Sequence, residues 1–373
     1  MTNTVLVAGA SGLVGEAAVR RFAARPGWKV VGVSRRAPDD AGNTVFHSID
    51  LTDAAAAREL FGTMGEVTHL VYAALQETPG LFGGWLDEAN IERNAVMLRN
   101  LFEPLSEVAA GLRHICLLHG TKAYGVHHPS LGYDGLRIPL RERDPRREHR
   151  NFYFDQENYL REKQASGTWQ MTVLRPTVIY GEAAGNNMNP LLPIAVYGAL
   201  LREEGRPLDH PAASLEPWLR EAVHADLVAD ALSWAATSPA AAGGTFNLTN
   251  GDVFTWANVW PAIARTLGMP LGEPREVSVL EEVSRRRQEW AAMVAKYGLS
   301  SSPDVMELVG YNSLVYTDNM MRGAPAGQPV PALNSTVAVR HAGFGACIDT
   351  EDMFVELLQR LEAKRVIPPA RSS

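Results

Sequence analysis

Cysteine is scarce. Cys116 and Cys347 are the only two in 373 residues, which excludes a disulfide framework and a zinc site built on thiolates. Cys116 lies in an apolar run and reads as a buried thiol. Positive charge is also short: 35 Lys plus Arg face 42 Asp plus Glu, a formal net charge of −7. That balance argues against nucleic acid or an anionic membrane surface as partner, since either needs a basic face. No apolar run approaches the roughly 20 residues of a spanning helix. The apolar stretch Val5–Ala8 has no basic flank before it and runs straight into glycines, unlike a signal peptide. A cytoplasmic globular protein is the expectation, and the length suits one large α/β unit with a smaller appended region.

The first half alternates two periodicities. Strands are expected at Thr4–Ala8, Lys29–Ser34, Val45–Ile49, His69–Ala74, His114–Leu118 and Met171–Leu174. Helices are expected at Leu13–Ala24, Asp53–Phe61 and Asp87–Ala110. Regular alternation implies a parallel sheet covered on both faces, and right-handed crossovers make it doubly wound and Rossmann-like. The second half is less regular. Pro190–Glu204, Asp226–Ala236, Trp256–Leu267 and Glu351–Arg365 read as helices and Thr245–Leu248 as a strand. Residues 270–333 are rich in Pro, Gly and Arg, with one helix near Glu281–Tyr297. The expected division is residues 1–180 as a dinucleotide-binding unit and 181–373 as mainly a substrate-binding or lid region, with elements of about 225–268 returning to the main sheet.

The dinucleotide expectation rests on Gly9-Ala10-Ser11-Gly12-Leu13-Val14-Gly15. This turn follows a strand and opens a helix, so its backbone can approach a pyrophosphate that the helix N-terminus attracts. The second strand then ends in Ser34-Arg35-Arg36. An NAD-binding chain commonly carries Asp or Glu there for the ribose 2′-hydroxyl. A hydroxyl and two guanidiniums suit a 2′-phosphate instead, which points to NADPH. Asp50 and Leu51 fall where such folds hold the adenine. Ala73, Ala74 and Leu75 fall beside the ribose.

Further motifs resemble one family. Gly9–Gly15, Ser34-Arg35-Arg36, Gly120-Thr121-Lys122, Asn151-Phe152-Tyr153, Arg175-Pro176, the stretch from Asn247 to Trp256 and Gly343-Phe344 occur in order along nearly the whole chain. Together they resemble the progesterone 5β-reductase/iridoid synthase-like group of extended short-chain dehydrogenases/reductases, its bacterial members more than its plant ones. The resemblance implies a changed active site. Standard members carry a serine after the fifth strand and a Tyr-x-x-x-Lys on the next helix; here the serine position holds Gly120. Carried over, the catalytic pair is Lys122 and Tyr153. The second tyrosine common in the plant motif is Phe154 here.

Tyr159 and Lys163 also fit Tyr-x-x-x-Lys. Gly167 closes that helix soon afterwards, so Lys163 belongs to its last turn, remote from the sheet edge where a nicotinamide lies and well placed for the helix dipole. The resemblance favours NADPH-dependent 1,4-reduction of an enone or enal. Aldehyde or ketone reduction, or alcohol oxidation, is the alternative, and an NADPH-sensing module without turnover is a third. Pro176, Val178 and Ile179 are expected along the nicotinamide face. Trp85, Phe152, Met188 and Trp256 are candidate walls of an apolar pocket, although such residues are core by default. His127-His128 is a poor metal site, and no metal is expected. His224 reads as a helix cap with Asp226. Beyond a small apolar carbonyl or enone substrate, no partner is expected except a second copy in a homodimer.

Overall fold

The computed structural model describes residues 3–38, 42, 44–81, 83–128, 130–131, 135–215, 218–321 and 332–370. Eleven strands are found among them: β1 (Asn3–Ala8), β2 (Trp28–Ser34), β3 (Val45–Ser48), β4 (His69–Tyr72), β5 (His114–Leu118), β6 (Gln170–Pro176), β7 (Ile179–Tyr180), β8 (Leu208–His210), β9 (Val223–His224), β10 (Thr245–Leu248) and β11 (Leu271–Pro274). Seven form one sheet in the order β10-β6-β5-β4-β1-β2-β3, and every pair in it is parallel.

Alternation along β1 shows why both faces are covered. Val5 and Val7 point to one side and Leu6 and Ala8 to the other, all fully buried. The Leu6 side packs on α2 (Ala54–Phe61), α3 (Glu88–Val108) and α4 (Phe152–Gln164). The Val5 side packs on α1 (Leu13–Ala23) and on α6 (Ala225–Ala235), which follows α5 (Leu191–Glu203) in the chain. Truncating Leu6 to Ala in such a core costs about 2–5 kcal/mol.

The remaining helices are α7 (Trp256–Thr266), α8 (Val279–Arg285), α9 (Arg287–Tyr297), α10 (Val305–Val309), α11 (Tyr311–Met321), α12 (Val337–His341) and α13 (Thr350–Ala363). Most of them join α5 around a second core that includes Trp260, Trp290 and Phe354. Residues 270–321 are therefore more helical than their composition suggests, and residues 322–331 of the expected loop-rich stretch lie outside the described residues. The expected single helix there is two, broken at Arg286, whose φ of −105° and ψ of 26° leave the helical range. Arg286 is buried, and its guanidinium pairs with Glu204 at 3.1 Å and Glu282 at 2.9 Å. Those tertiary partners, absent from any local pattern, hold the break. No described helix is long and apolar enough to cross a membrane.

Two features set the site. The strand order reverses at β1, which pairs with β2 on one side and β4 on the other. A doubly wound sheet opens its ligand crevice at that point, outside the carboxyl ends of the strands. The second lobe lies above the same edge and reaches it through the segment after β7 and through α11.

Candidate active site

The glycine turn is constrained by its surroundings. Gly9 has φ +84°, and a Cβ there would lie 2.8 Å from the Ala73 carbonyl, so the ends of β1 and β4 touch through backbone. A Cβ at Gly15 would lie 1.9 Å from the Gly9 carbonyl oxygen, so only glycine lets α1 pack this close. Gly12 caps α1 without a side-chain hydrogen bond. The first amides of the helix thus face the cavity, and Asn186 Oδ1 accepts from the Leu13 N–H at 3.0 Å.

That cavity has a volume of about 540 Å³. One end holds Ser34, Arg35, Arg36, Asp50 and Leu51; the glycine turn with Ser11, Leu13 and Val14 forms its floor; Ala73, Ala74 and Leu75 line the middle. Gly120, Lys122, Tyr153, Pro176, Val178, Ile179 and Met188 close the other end. At the first end the Ser34 hydroxyl accepts from the Ser11 N–H at 3.2 Å and donates to the Arg36 carbonyl at 2.5 Å. Both arginines are exposed. The Asp50 carboxylate accepts from the Thr52 N–H at 2.9 Å and from its hydroxyl at 2.7 Å, bonds that hold its carboxyl below the ordinary value with help from the Arg35 charge.

The other end is tightly built. Asn151 caps α4 by accepting from the Tyr153 N–H at 3.0 Å and donates from its amide to the Lys122 carbonyl at 3.1 Å. One side chain therefore ties the two candidate residues together. Gly120 is extended, with φ −176°; a Cβ there would lie 3.4 Å from the Tyr153 hydroxyl oxygen. The position that carries a serine in standard short-chain enzymes thus faces the phenol. Burial pushes the Tyr153 hydroxyl well above its ordinary value, and Glu77 and Tyr316 push it further, so it keeps its proton. Burial lowers the Lys122 ammonium to about 8, with Glu77 acting in opposition. Lys122 Nζ sits 4.0 Å over the Trp85 ring and donates to the Met188 sulfur at 2.7 Å. Met188 reaches that place from a left-handed backbone, φ +54°, rare for a side chain of its size.

Trp85 and Phe152 are not in the cavity wall. They form a buried layer behind Tyr153, with ring centroids 5.3 Å and 4.8 Å from the phenol ring. Trp256 lies in the second lobe's core. Tyr159 and Lys163 are also outside the cavity: the Tyr159 hydroxyl donates to Glu103 at 3.3 Å, and Lys163 is exposed at the end of α4. His224 caps α6 by accepting from the Asp226 N–H at 2.9 Å, while the Asp226 carboxylate engages Arg20 and Arg360. Among the described residues no cluster of His, Cys, Asp and Glu could hold a metal.

Four side chains join the site without a sequence signal that marked them. His119 immediately precedes Gly120, and its ring stacks on Tyr153 at 4.4 Å. Burial, with Arg175 nearby, holds its imidazole well below the ordinary value, so it is neutral. Tyr316 arrives from α11 and Asn186 from the segment after β7. Glu77 lies just past the carboxyl end of β4 and accepts from the Trp85 indole N–H at 2.9 Å.

A strand-turn-helix crevice at the switch point, with a phenol and an ammonium at one end, defines a nucleotide-dependent oxidoreductase. The chain belongs to the NAD dependent epimerase/dehydratase family, whose signature matches residues 5–249. It is an enzyme of the extended short-chain dehydrogenase/reductase type, built around a nicotinamide cofactor. The resemblance to the progesterone 5β-reductase/iridoid synthase-like group holds over nearly the whole chain. A 3-oxo-Delta(4,5)-steroid 5-beta-reductase of Arabidopsis thaliana is 29% identical over 98% of this chain and 93% of its own length. An (S)-8-oxocitronellyl enol synthase of Nepeta racemosa is 31% identical over 80% of this chain and 77% of its own. The fold is shared with a UDP-glucose 4-epimerase of Brucella ovis solved with NAD, at 17% identity, a TM-score of 0.66, and coverage of 95% of this chain and 97% of that one. The glycine cradle at Gly9 and Gly15 and the N-terminal turn of α1, which has no side-chain cap at Gly12, fit a dinucleotide.

Proposed function

We propose that the protein is an NADPH-dependent reductase of carbon–carbon double bonds conjugated to a carbonyl, acting on small apolar enones or enals in the cytoplasm. One observation carries the reading: Gly120 faces the Tyr153 hydroxyl where a serine would add a second hydroxyl. The substrate oxygen is then served by Tyr153 and Lys122 alone. The relatives agree in kind, since a 5-beta-reductase of a 3-oxo-Delta(4,5) steroid saturates a double bond conjugated to a ketone.

Ser34, Arg35 and Arg36 would hold the 2′-phosphate, the α1 amides would hold the pyrophosphate, and Ala73–Leu75 would flank the ribose. When bound, the cofactor would supply the hydride that adds to the substrate's β-carbon. Tyr153 donates a hydrogen bond to the substrate oxygen, which becomes the enolate oxygen as the double bond shifts. Lys122 places a positive charge on the same oxygen in a site shielded from water, where preorganised charge acts strongly. The enolate then takes a proton from water at its α-carbon, giving the saturated carbonyl compound.

The raised Tyr153 hydroxyl favours a second reading. A phenol that keeps its proton can also protonate a carbonyl oxygen directly, the route to an alcohol. Deuterated NADPH and a conjugated enal separate the two. The expected product is the saturated aldehyde with deuterium at the β-carbon. Allylic alcohol as the sole product would sink the reading. Gly120→Ser is expected to move the product ratio toward alcohol, because a Cβ there meets Tyr153 at ordinary contact distance and brings a hydroxyl with it.

A further inference from the structure

We propose that Glu77 is a positioning residue: held by the Trp85 indole, its carboxylate keeps the Lys122 ammonium charged beside the substrate oxygen. The proposal deepens the function argued above and rests on it for the oxygen's location.

Trp85 links the two groups. Its indole N–H donates to Glu77 Oε1 at 2.9 Å, and its ring carries Lys122 Nζ at 4.0 Å. Tyr153 meets the same indole edge-on, centroids 5.3 Å apart. The second carboxylate oxygen of Glu77 is buried without a hydrogen-bond partner among the described residues. The hydrogen bond of the Lys122 ammonium is to the Met188 thioether at 2.7 Å, a weak acceptor. A carboxyl and an ammonium are therefore held in one apolar pocket by a shared aromatic ring, each lacking a full set of partners among the described residues. A buried charge in that condition is stable only beside its opposite.

The other titratable groups facing the pair do not replace Glu77. His127, beyond the end of β5, is held well below its ordinary value, first by burial and then by the Lys122 charge. His119 is held neutral by burial. Tyr153 on α4 and Tyr316 on α11 are pushed up by burial, with Glu77 adding to both. At neutral pH all four are uncharged, which leaves Glu77 as the group that opposes the effect of burial on Lys122. Burial raises the Glu77 carboxyl above its ordinary value in turn, and Lys122 and the indole N–H oppose that rise without cancelling it. Each member of the pair favours the ionised form of the other.

The test reads Lys122 directly on the full chain. Acetic anhydride labelling of Lys122 against pH, followed by mass spectrometry, gives its titration midpoint without turnover. In the wild type the midpoint is expected near 8. Glu77→Gln should move it down by about one unit, and Glu77→Asp should return most of the difference. Such a shift leaves about a tenth of Lys122 charged at pH 8 instead of one half. The fall in kcat/KM for an enone should then be about fivefold at pH 8 and should shrink toward pH 6. Trp85→Phe, which keeps the ring and removes the indole N–H, should move the midpoint in the same direction and serves if the Gln variant does not fold. An unchanged midpoint in folded Gln and Phe variants, or a loss equal at all pH values, would overturn the proposal. Absence of enone turnover in the wild type would count against the function argued above, and the labelling midpoint would still decide the role of Glu77.

Discussion

Lys122 should be a burden on the fold that made it useful. Its ammonium is lowered from 10.5 to about 8, mainly by burial. At about 1.4 kcal/mol per unit, that is a penalty of about 3 kcal/mol for holding the charged form in the folded chain. The residue keeps partial exposure at the cavity, and the Trp85 face at 4.0 Å offsets about 1–2 kcal/mol. Lys122→Met, which keeps an unbranched chain without the charge, made together with Glu77→Gln so that no buried carboxylate is left without its opposite, should therefore stabilise the protein by about 1–2 kcal/mol and abolish turnover. The sign of the pH dependence is fixed. Below about pH 8 both folded and unfolded states carry the charge and the penalty is full. As pH rises from 8 toward 10.5 the folded state sheds its proton first and the penalty disappears. Urea denaturation at pH 6 and at pH 10 measures this: the variant should be ahead at pH 6 and level at pH 10. A variant less stable than the wild type at pH 6, or ahead by the same margin at both values, would refute the reasoning.

Two further outcomes follow from the cavity's ends. Arg35→Ala should weaken NADPH by roughly 1–3 kcal/mol, the scale of a charged hydrogen bond, and barely change NADH; equal losses in fluorescence titrations of both would remove the 2′-phosphate assignment. Tyr153→Phe should cut kcat while leaving NADPH affinity near the wild-type value, whereas Lys163→Ala should do little, because Lys163 is exposed at the far end of α4; steady-state kinetics showing the reverse order would restore the Tyr159–Lys163 pair.

The parts that were legible in the sequence share one property: they sit in or beside elements whose own local pattern announces them. Gly9 to Gly15 follows an unmistakable buried strand. Ser34-Arg35-Arg36 ends another, and Lys122 and Tyr153 fall at a strand end and a helix start. In a parallel sheet those points converge on one edge, so order along the chain is enough to place them. The residues that stayed hidden reach the edge by tertiary routes. Asn186 and Tyr316 belong to the second lobe, whose packing around Trp260 and Trp290 has no counterpart in local periodicity. Glu77 looks like a loop carboxylate until the Trp85 indole is seen to hold it. Trp85 and Phe152 erred the other way. Their size suggested a pocket wall, and the fold uses them as the backing against which Tyr153 and Lys122 are pressed.

The seventh strand of the sheet has a consequence for how the chain is made. β10 pairs with β6, yet residue 176 closes β6 and residue 245 opens β10. During synthesis the first six strands can assemble while β6 still offers a bare row of amides and carbonyls to any other nascent chain. The interval lasts until the intervening helices have emerged and Thr245–Leu248 arrives to cover that edge. A product ending before residue 245 never closes it and would be released with a sticky border on its largest sheet. The detour through α5 and α6 between these two strands thus also sets how long the nascent protein stays vulnerable to joining its neighbours.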